Sequence, residues 1–184
     1  MPSQPRATAS ARIVTVAAWL ILGWGCTGSG PGPIGPPRVC TLIGCDDGFK
    51  IDLDPGSAWP AGAYRFTVQA DDTRVVCSAT LPLTSCAGRA VVCEPRGVVT
   101  VAESGCALPA ASHGFPQIAF DAKLRPRRVE VTIERGDLRV ARAELAPVFE
   151  TSRPNGADCP PTCTAARALV AVDFRQSAGR GRGL

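Results

Sequence analysis

Eight cysteines, Cys40, Cys45, Cys77, Cys86, Cys93, Cys106, Cys159 and Cys163, punctuate this 184-residue chain, and a ninth, Cys26, stands ahead of them at the end of an apolar N-terminal stretch. A thiol content of this size is an oxidation hazard in a reducing cytosol unless it binds metal, so it points to an oxidising compartment and to a fold held by disulfides. The N-terminus agrees. Residues 1–12 carry Arg6 and Arg12 and no acid, and Ile13 to Leu22 is an unbroken apolar run. It is too short to span a bilayer and has the length of a signal-peptide hydrophobic region, so residues 1–25 read as a signal peptide.

The run ends in Leu22-Gly23-Trp24-Gly25-Cys26. Gly25 and Cys26 resemble the end of the lipobox of bacterial lipoproteins, whose final cysteine is lipidated. Leu22 stands one position early, Gly23 occupies the usual Leu position, and Trp24 is bulky where that motif has a small residue. Gly23 and Gly25 also satisfy the small-x-small pattern of an ordinary signal-peptidase site. Cysteine parity favours lipidation, because an acylated Cys26 leaves an even set of eight, whereas an unmodified Cys26 leaves an odd thiol. Cys26 is therefore the expected lipid attachment site. Residues 26–38, a Gly/Pro-rich stretch, read as a tether, and residues 176–184 as a disordered tail.

Between these ends, residues 39–175 read as one β domain. Phe49, Ile51 and Leu53 alternate with Lys50, Asp52 and Asp54. Tyr64, Phe66 and Val68 alternate with Arg65, Thr67 and Gln69, and Val129, Val131 and Ile133 with Glu130, Thr132 and Glu134. Period two with one apolar face marks half-buried strands of antiparallel sheets. Further runs cover Arg74–Leu81, Arg89–Cys93, Val98–Ala102, Gln117–Asp121, Leu138–Phe149 and Ala168–Phe174, with a slip near Ala141-Arg142-Ala143 that predicts a bulge. Seven to nine short strands parted by turn sequences predict an all-β, antiparallel, immunoglobulin-like β-sandwich stapled by disulfides, with a β-barrel as the alternative.

Eight cysteines allow 105 pairings. In an immunoglobulin-like sandwich the first strand begins at the end where the loop before the last strand lies. That geometry groups Cys40 and Cys45 with Cys159 and Cys163, and leaves Cys77, Cys86, Cys93 and Cys106 to pair among themselves.

Catalytic signals are sparse. Cys159-Pro160-Pro161-Thr162-Cys163 is C-x3-C, not the redox C-x-x-C, and zinc is disfavoured by the export signal. His113 is the single histidine and reads as a plain loop residue, with no G-x-S-x-G or H-E-x-x-H motif elsewhere. Asp46, Asp47, Asp52 and Asp54 lack calcium-loop spacing and read as a hydrated strand edge. Arg135-Gly136-Asp137 reads as a turn, not an adhesion tripeptide. Trp59 is the one tryptophan beyond the leader and reads as a core-edge plug in preference to a sugar platform.

Charge excludes a nucleic-acid role. Without Arg6 and Arg12 the chain has 18 basic against 16 acidic residues, and three of the bases lie at the C-terminal end. No cofactor and no metal is expected.

Cys40-x4-Cys45, Ser104-Gly105-Cys106-Ala107-Leu108-Pro109, Gly114-Phe115-Pro116 and the segment from Pro154 to Cys163 together resemble a group of uncharacterised cysteine-rich lipoproteins of GC-rich Gram-negative bacteria. The resemblance covers nearly all of residues 26–175. It implies export and a disulfide-rich architecture, and no catalytic residue. The expectation is a non-catalytic lipoprotein anchored to the cell envelope, at the outer membrane, that binds or supports another envelope protein or polysaccharide. The alternatives are a periplasmic or secreted carbohydrate-binding module using Trp59, and an extracytoplasmic hydrolase using acidic residues.

Overall fold

A computed structural model describes residues 39–86 and 89–175. The signal peptide, Cys26, the tether and the C-terminal tail expected from the sequence lie outside the described residues. The described chain forms ten strands: β1 (Gly48–Asp54), β2 (Gly62–Ala70), β3 (Thr73–Leu81), β4 (Val92–Glu94), β5 (Val99–Val101), β6 (Gln117–Phe120), β7 (Val129–Arg135), β8 (Leu138–Leu145), β9 (Glu150–Ser152) and β10 (Cys163–Ala171). One 3-10 turn spans Ala110–Ser112.

The strands make two five-stranded sheets, ordered β5-β6-β1-β10-β9 and β4-β3-β2-β7-β8. Two separate sheets make a sandwich; no barrel closes among the described residues. Every neighbouring pair is antiparallel except β1 and β10, which run parallel from Gly48 opposite Ala165 to Asp54 opposite Ala171.

The inward faces follow the alternation in the sequence. Phe49, Ile51 and Leu53 of β1 are buried, as are Tyr64, Phe66 and Val68 of β2 and Val129, Val131 and Ile133 of β7. Burying a side chain of this size contributes on the order of 1.5–3 kcal/mol. At one end, Trp59, Tyr64, Phe66, Phe115 and Phe174 pack mostly edge to face, with centroids 5.2 to 6.5 Å apart.

Two of the turns show local chemistry deciding register. β7 and β8 are joined by Gly136-Asp137, with Gly136 at φ +57°, the positive angle a two-residue hairpin needs at its first central position. β2 and β3 are joined by Asp71-Asp72, where Asp71 adopts φ +46°. A non-glycine residue there is costly. Its carboxylate accepts hydrogen bonds from the backbone N–H groups of Arg127 and Arg128, and so ties the hairpin to the start of β7.

Three expectations are revised. A register shift opposite Ile133 and Glu134 pairs those residues with Ala141 and Arg139, which leaves Val140 as the extra residue of the bulge. The bulge therefore begins one residue before the slip at Ala141, and Val140 and Ala141 both turn inward. Of the run Leu138–Phe149 only Leu138–Leu145 is strand, as β8; the chain then crosses to the other sheet, where β9 begins at Glu150 and all three of its residues are exposed. Finally, β10 starts at Cys163 instead of Ala168, and its small residues Ala165 and Ala166 blur the alternation there.

Burial pushes the Tyr64 phenol up to about 12 from its ordinary 10, with Arg135 pulling weakly the other way. The phenol also donates to the Pro60 carbonyl at 2.6 Å. The folded state holds this proton more tightly than the unfolded chain, so the associated stability is intact below pH 10 and is lost as pH rises through about 12. Thermal midpoints should fall over that window in the wild type and stay flatter in Tyr64→Phe. Tyr64 is the only tyrosine, so tyrosinate absorbance reads its titration directly; a midpoint at the ordinary value removes the expectation.

Candidate functional site

Of the residues that carried chemical promise in the sequence, Cys40, Cys45, Asp46, Asp47, Cys159 and Cys163 gather at the end of the sandwich where β1 and β10 begin. Because these two strands are parallel neighbours, their N-terminal approaches lie side by side. Cys40 bonds Cys159 and Cys45 bonds Cys163, with Cα atoms 5.8 and 5.2 Å apart. The other four cysteines pair as Cys77–Cys93, between directly opposed residues of β3 and β4, and Cys86–Cys106. Each pair falls within one of the two groups that sandwich geometry suggests.

Asn155 completes the clamp. Its side-chain oxygen accepts from the Thr41 hydroxyl at 2.5 Å and the Ile43 N–H at 2.9 Å, and its amide donates to the carbonyls of Ile43 at 2.9 Å and Pro160 at 2.6 Å. In the sequence this residue belongs to a Pro-Asn-Gly turn, and nothing local marks a partner more than a hundred positions away.

The acids nearby have other duties. Asp46 pairs with Lys50 and with Arg167 at 2.6 Å; the Lys50 hydrogen bond, helped by Arg167, holds its carboxyl below the usual range. Asp47 accepts the Thr164 N–H at 2.5 Å, which fixes the start of β10. Asp52 accepts from Gln117 at 2.7 Å and faces Arg167 at 3.6 Å, and Asp54 caps its own turn at the Gly56 N–H. These carboxylates are spread along the β1 surface and its turn. Cys45, Asp47 and Cys163 do bring three ligand atoms within 4.8 Å of one another, but both sulfurs are consumed in a disulfide.

His113 is not a plain loop residue. It is 6% exposed, its Nδ1 accepts the Leu83 N–H at 2.9 Å, and its Nε2 lies 3.0 Å from the Leu108 carbonyl. Accepting at Nδ1 places the proton on Nε2, which donates to Leu108, so the ring is a cross-link between two loops. The loop beneath it is tight: Gly105 has φ +76°, and a Cβ there would lie 2.0 Å from the Ser112 carbonyl oxygen. Both ring nitrogens are committed to backbone, which leaves neither for proton transfer to a substrate.

Trp59 is 8% exposed and packs against Tyr64, Phe115 and Phe174, while Gly114 leaves room for its indole edge. It presents no face for stacking on a sugar. Arg135-Gly136-Asp137 forms the β7–β8 turn. An open groove of about 540 Å³ runs where the chain leaves β8 for β9, walled by Leu145, Pro147, Val148, Glu150 and Arg167.

The apolar side chains of Leu42 and Ile43 in the clamped segment, and of Val39 just before it, are exposed. Val39 is 95% exposed, Leu42 98% and Ile43 53%. No protein-family model matches this chain, and neither a curated protein nor a solved structure matches it.

Proposed function

We propose that this chain is a non-catalytic envelope lipoprotein, anchored by lipid on Cys26 at the outer membrane, whose sandwich acts as a binding or structural module for another envelope protein or polysaccharide. The observation that carries this reading is the pairing of all eight cysteines downstream of Cys26. Four disulfides indicate an oxidising extracytoplasmic environment. They also leave Cys26 as the one cysteine without a partner in the framework, the position at which acylation would remove a reactive thiol. The clamp fits an anchored role mechanically. A pull on residues 26–38 would enter the domain at two covalent bridges beside the parallel β1–β10 pair, so load is shared by the first and last strands.

Mass spectrometry of the mature N-terminus, extracted from membranes of cells expressing the full chain, tests the anchor. The expected product begins at Cys26 and carries diacylglycerol, and Cys26→Ser is expected to move the protein to the soluble fraction. An unacylated Cys26 recovered from the soluble fraction overturns the anchor.

A further inference from the structure

We infer that Val39, Leu42 and Ile43 form a membrane-contact knob that seats in the headgroup and upper acyl region of the bilayer beside the anchor. The inference rests on the Cys26 anchor proposed above. Single exposed apolar residues are common on protein surfaces. Here Leu42 and Ile43 lie in the segment Cys40–Cys45, which has no regular secondary structure and is nevertheless fixed at both ends by disulfides and in the middle by Asn155, and Val39 directly precedes its first cysteine. Large apolar side chains are thus held in water on a rigid support, which lowers the ordering cost of any contact they make.

Chain length selects the occupant. Twelve residues, 27–38, separate Cys26 from Val39. Fully extended they reach about 40 Å, and as a flexible coil about 20 Å. Val39 is the first described residue after that segment, so the knob is the part of the domain that an anchored N-terminus keeps nearest the lipid. Charge agrees with an anionic surface. From residue 27 to residue 45 the sequence has no acid and a single base, Arg38, and the first acid, Asp46, is neutralised by Lys50 and Arg167. An apolar tip with a basic neighbour is the composition of an interfacial membrane contact. The tether turns insertion of a few side chains into an intramolecular event, which lets a weak contact be occupied.

The test is a Leu42→Trp variant of the mature chain in vesicles of phosphatidylethanolamine and phosphatidylglycerol, with bromine on the acyl chains as quencher. Trp59 is buried and supplies a constant background taken from the parent protein. The new indole is expected to shift to the blue, to be quenched by bromolipid and to be shielded from aqueous iodide. In the Cys26→Ser background, the pair Leu42→Asp with Ile43→Asp is expected to lower the vesicle partition coefficient about tenfold or more. Absence of free thiols in every variant verifies that the framework has closed. If the anchored protein leaves the indole open to iodide and untouched by bromolipid, the knob is overturned in favour of a protein partner while the anchor stands. If mass spectrometry finds no lipid on Cys26, the anchor falls, and the same quenching on added vesicles still decides the knob either way.

Discussion

Replacing Cys40, Cys45, Cys159 and Cys163 together by alanine is expected to lower the stability of the domain by about 7–8 kcal/mol, more than twice the cost of removing either bridge alone. The reasoning follows from loop sizes. A first bridge across a sequence separation of 118 or 119 residues restricts the unfolded chain by about 5 kcal/mol in the chain-entropy account. Once one bridge exists, the second closes only the short circuit from Cys40 to Cys45 and from Cys159 to Cys163, on the order of ten residues, for about 2.5–3 kcal/mol. Either single removal should therefore cost about 3 kcal/mol, and the second removal considerably more. Since domains of this size are stable by about 5–15 kcal/mol, the quadruple variant should lose about half of its stability or more. Urea midpoints of the two single-bridge variants and the quadruple variant measure this. Two additive costs of equal size would contradict the shared-loop account.

His113→Leu is expected to cost about 2–5 kcal/mol, close to the largest effect of any single substitution away from the cysteines. Leucine fills much of the ring's volume but leaves the Leu83 N–H and the Leu108 carbonyl without their partner, in a site that is 6% exposed. Each unsatisfied buried group costs about 1–3 kcal/mol. His113→Gln keeps one donor and one acceptor and should recover part of the loss. Equilibrium unfolding of the two variants decides the matter, and a loss below about 1 kcal/mol for His113→Leu would mean that water replaces the ring.

Much of the sandwich was legible because alternation and burial are the same fact seen twice. In β1, β2 and β7 every apolar alternate position faces the core, so the two-residue period could be read without knowing the partners. Legibility failed where side chains are small or contacts are long. β9 is three exposed residues that borrow their order from β10, and Ala165 and Ala166 carry no hydrophobic contrast. His113 and Asn155 each bind one nearby carbonyl, of Leu108 and Pro160, but the contacts that make them cross-links are long. Their distant partners are 30 positions away for Leu83 and 112 for Ile43, so only the folded topology reveals that a loop histidine and a turn asparagine are cross-links. The cysteine groups followed from which strand ends meet, whereas the choice of partner within each group depends on sub-nanometre placement that no pattern encodes.

In the exported protein proposed above, the parallel pairing of β1 with β10 would also set an order of events during translocation. A chain threaded N-terminus first delivers Cys40 and Cys45 to the oxidising side long before Cys159 and Cys163. Meanwhile β2, β3 and β4 can form a meander and Cys77 can meet Cys93 at a separation of 16. The earliest thiols to arrive are therefore the last to find their proper partners. Throughout that interval they must escape capture by Cys77, Cys86, Cys93 and Cys106, so the compartment that matures this protein has to tolerate, or reshuffle, premature cross-links at its leading end.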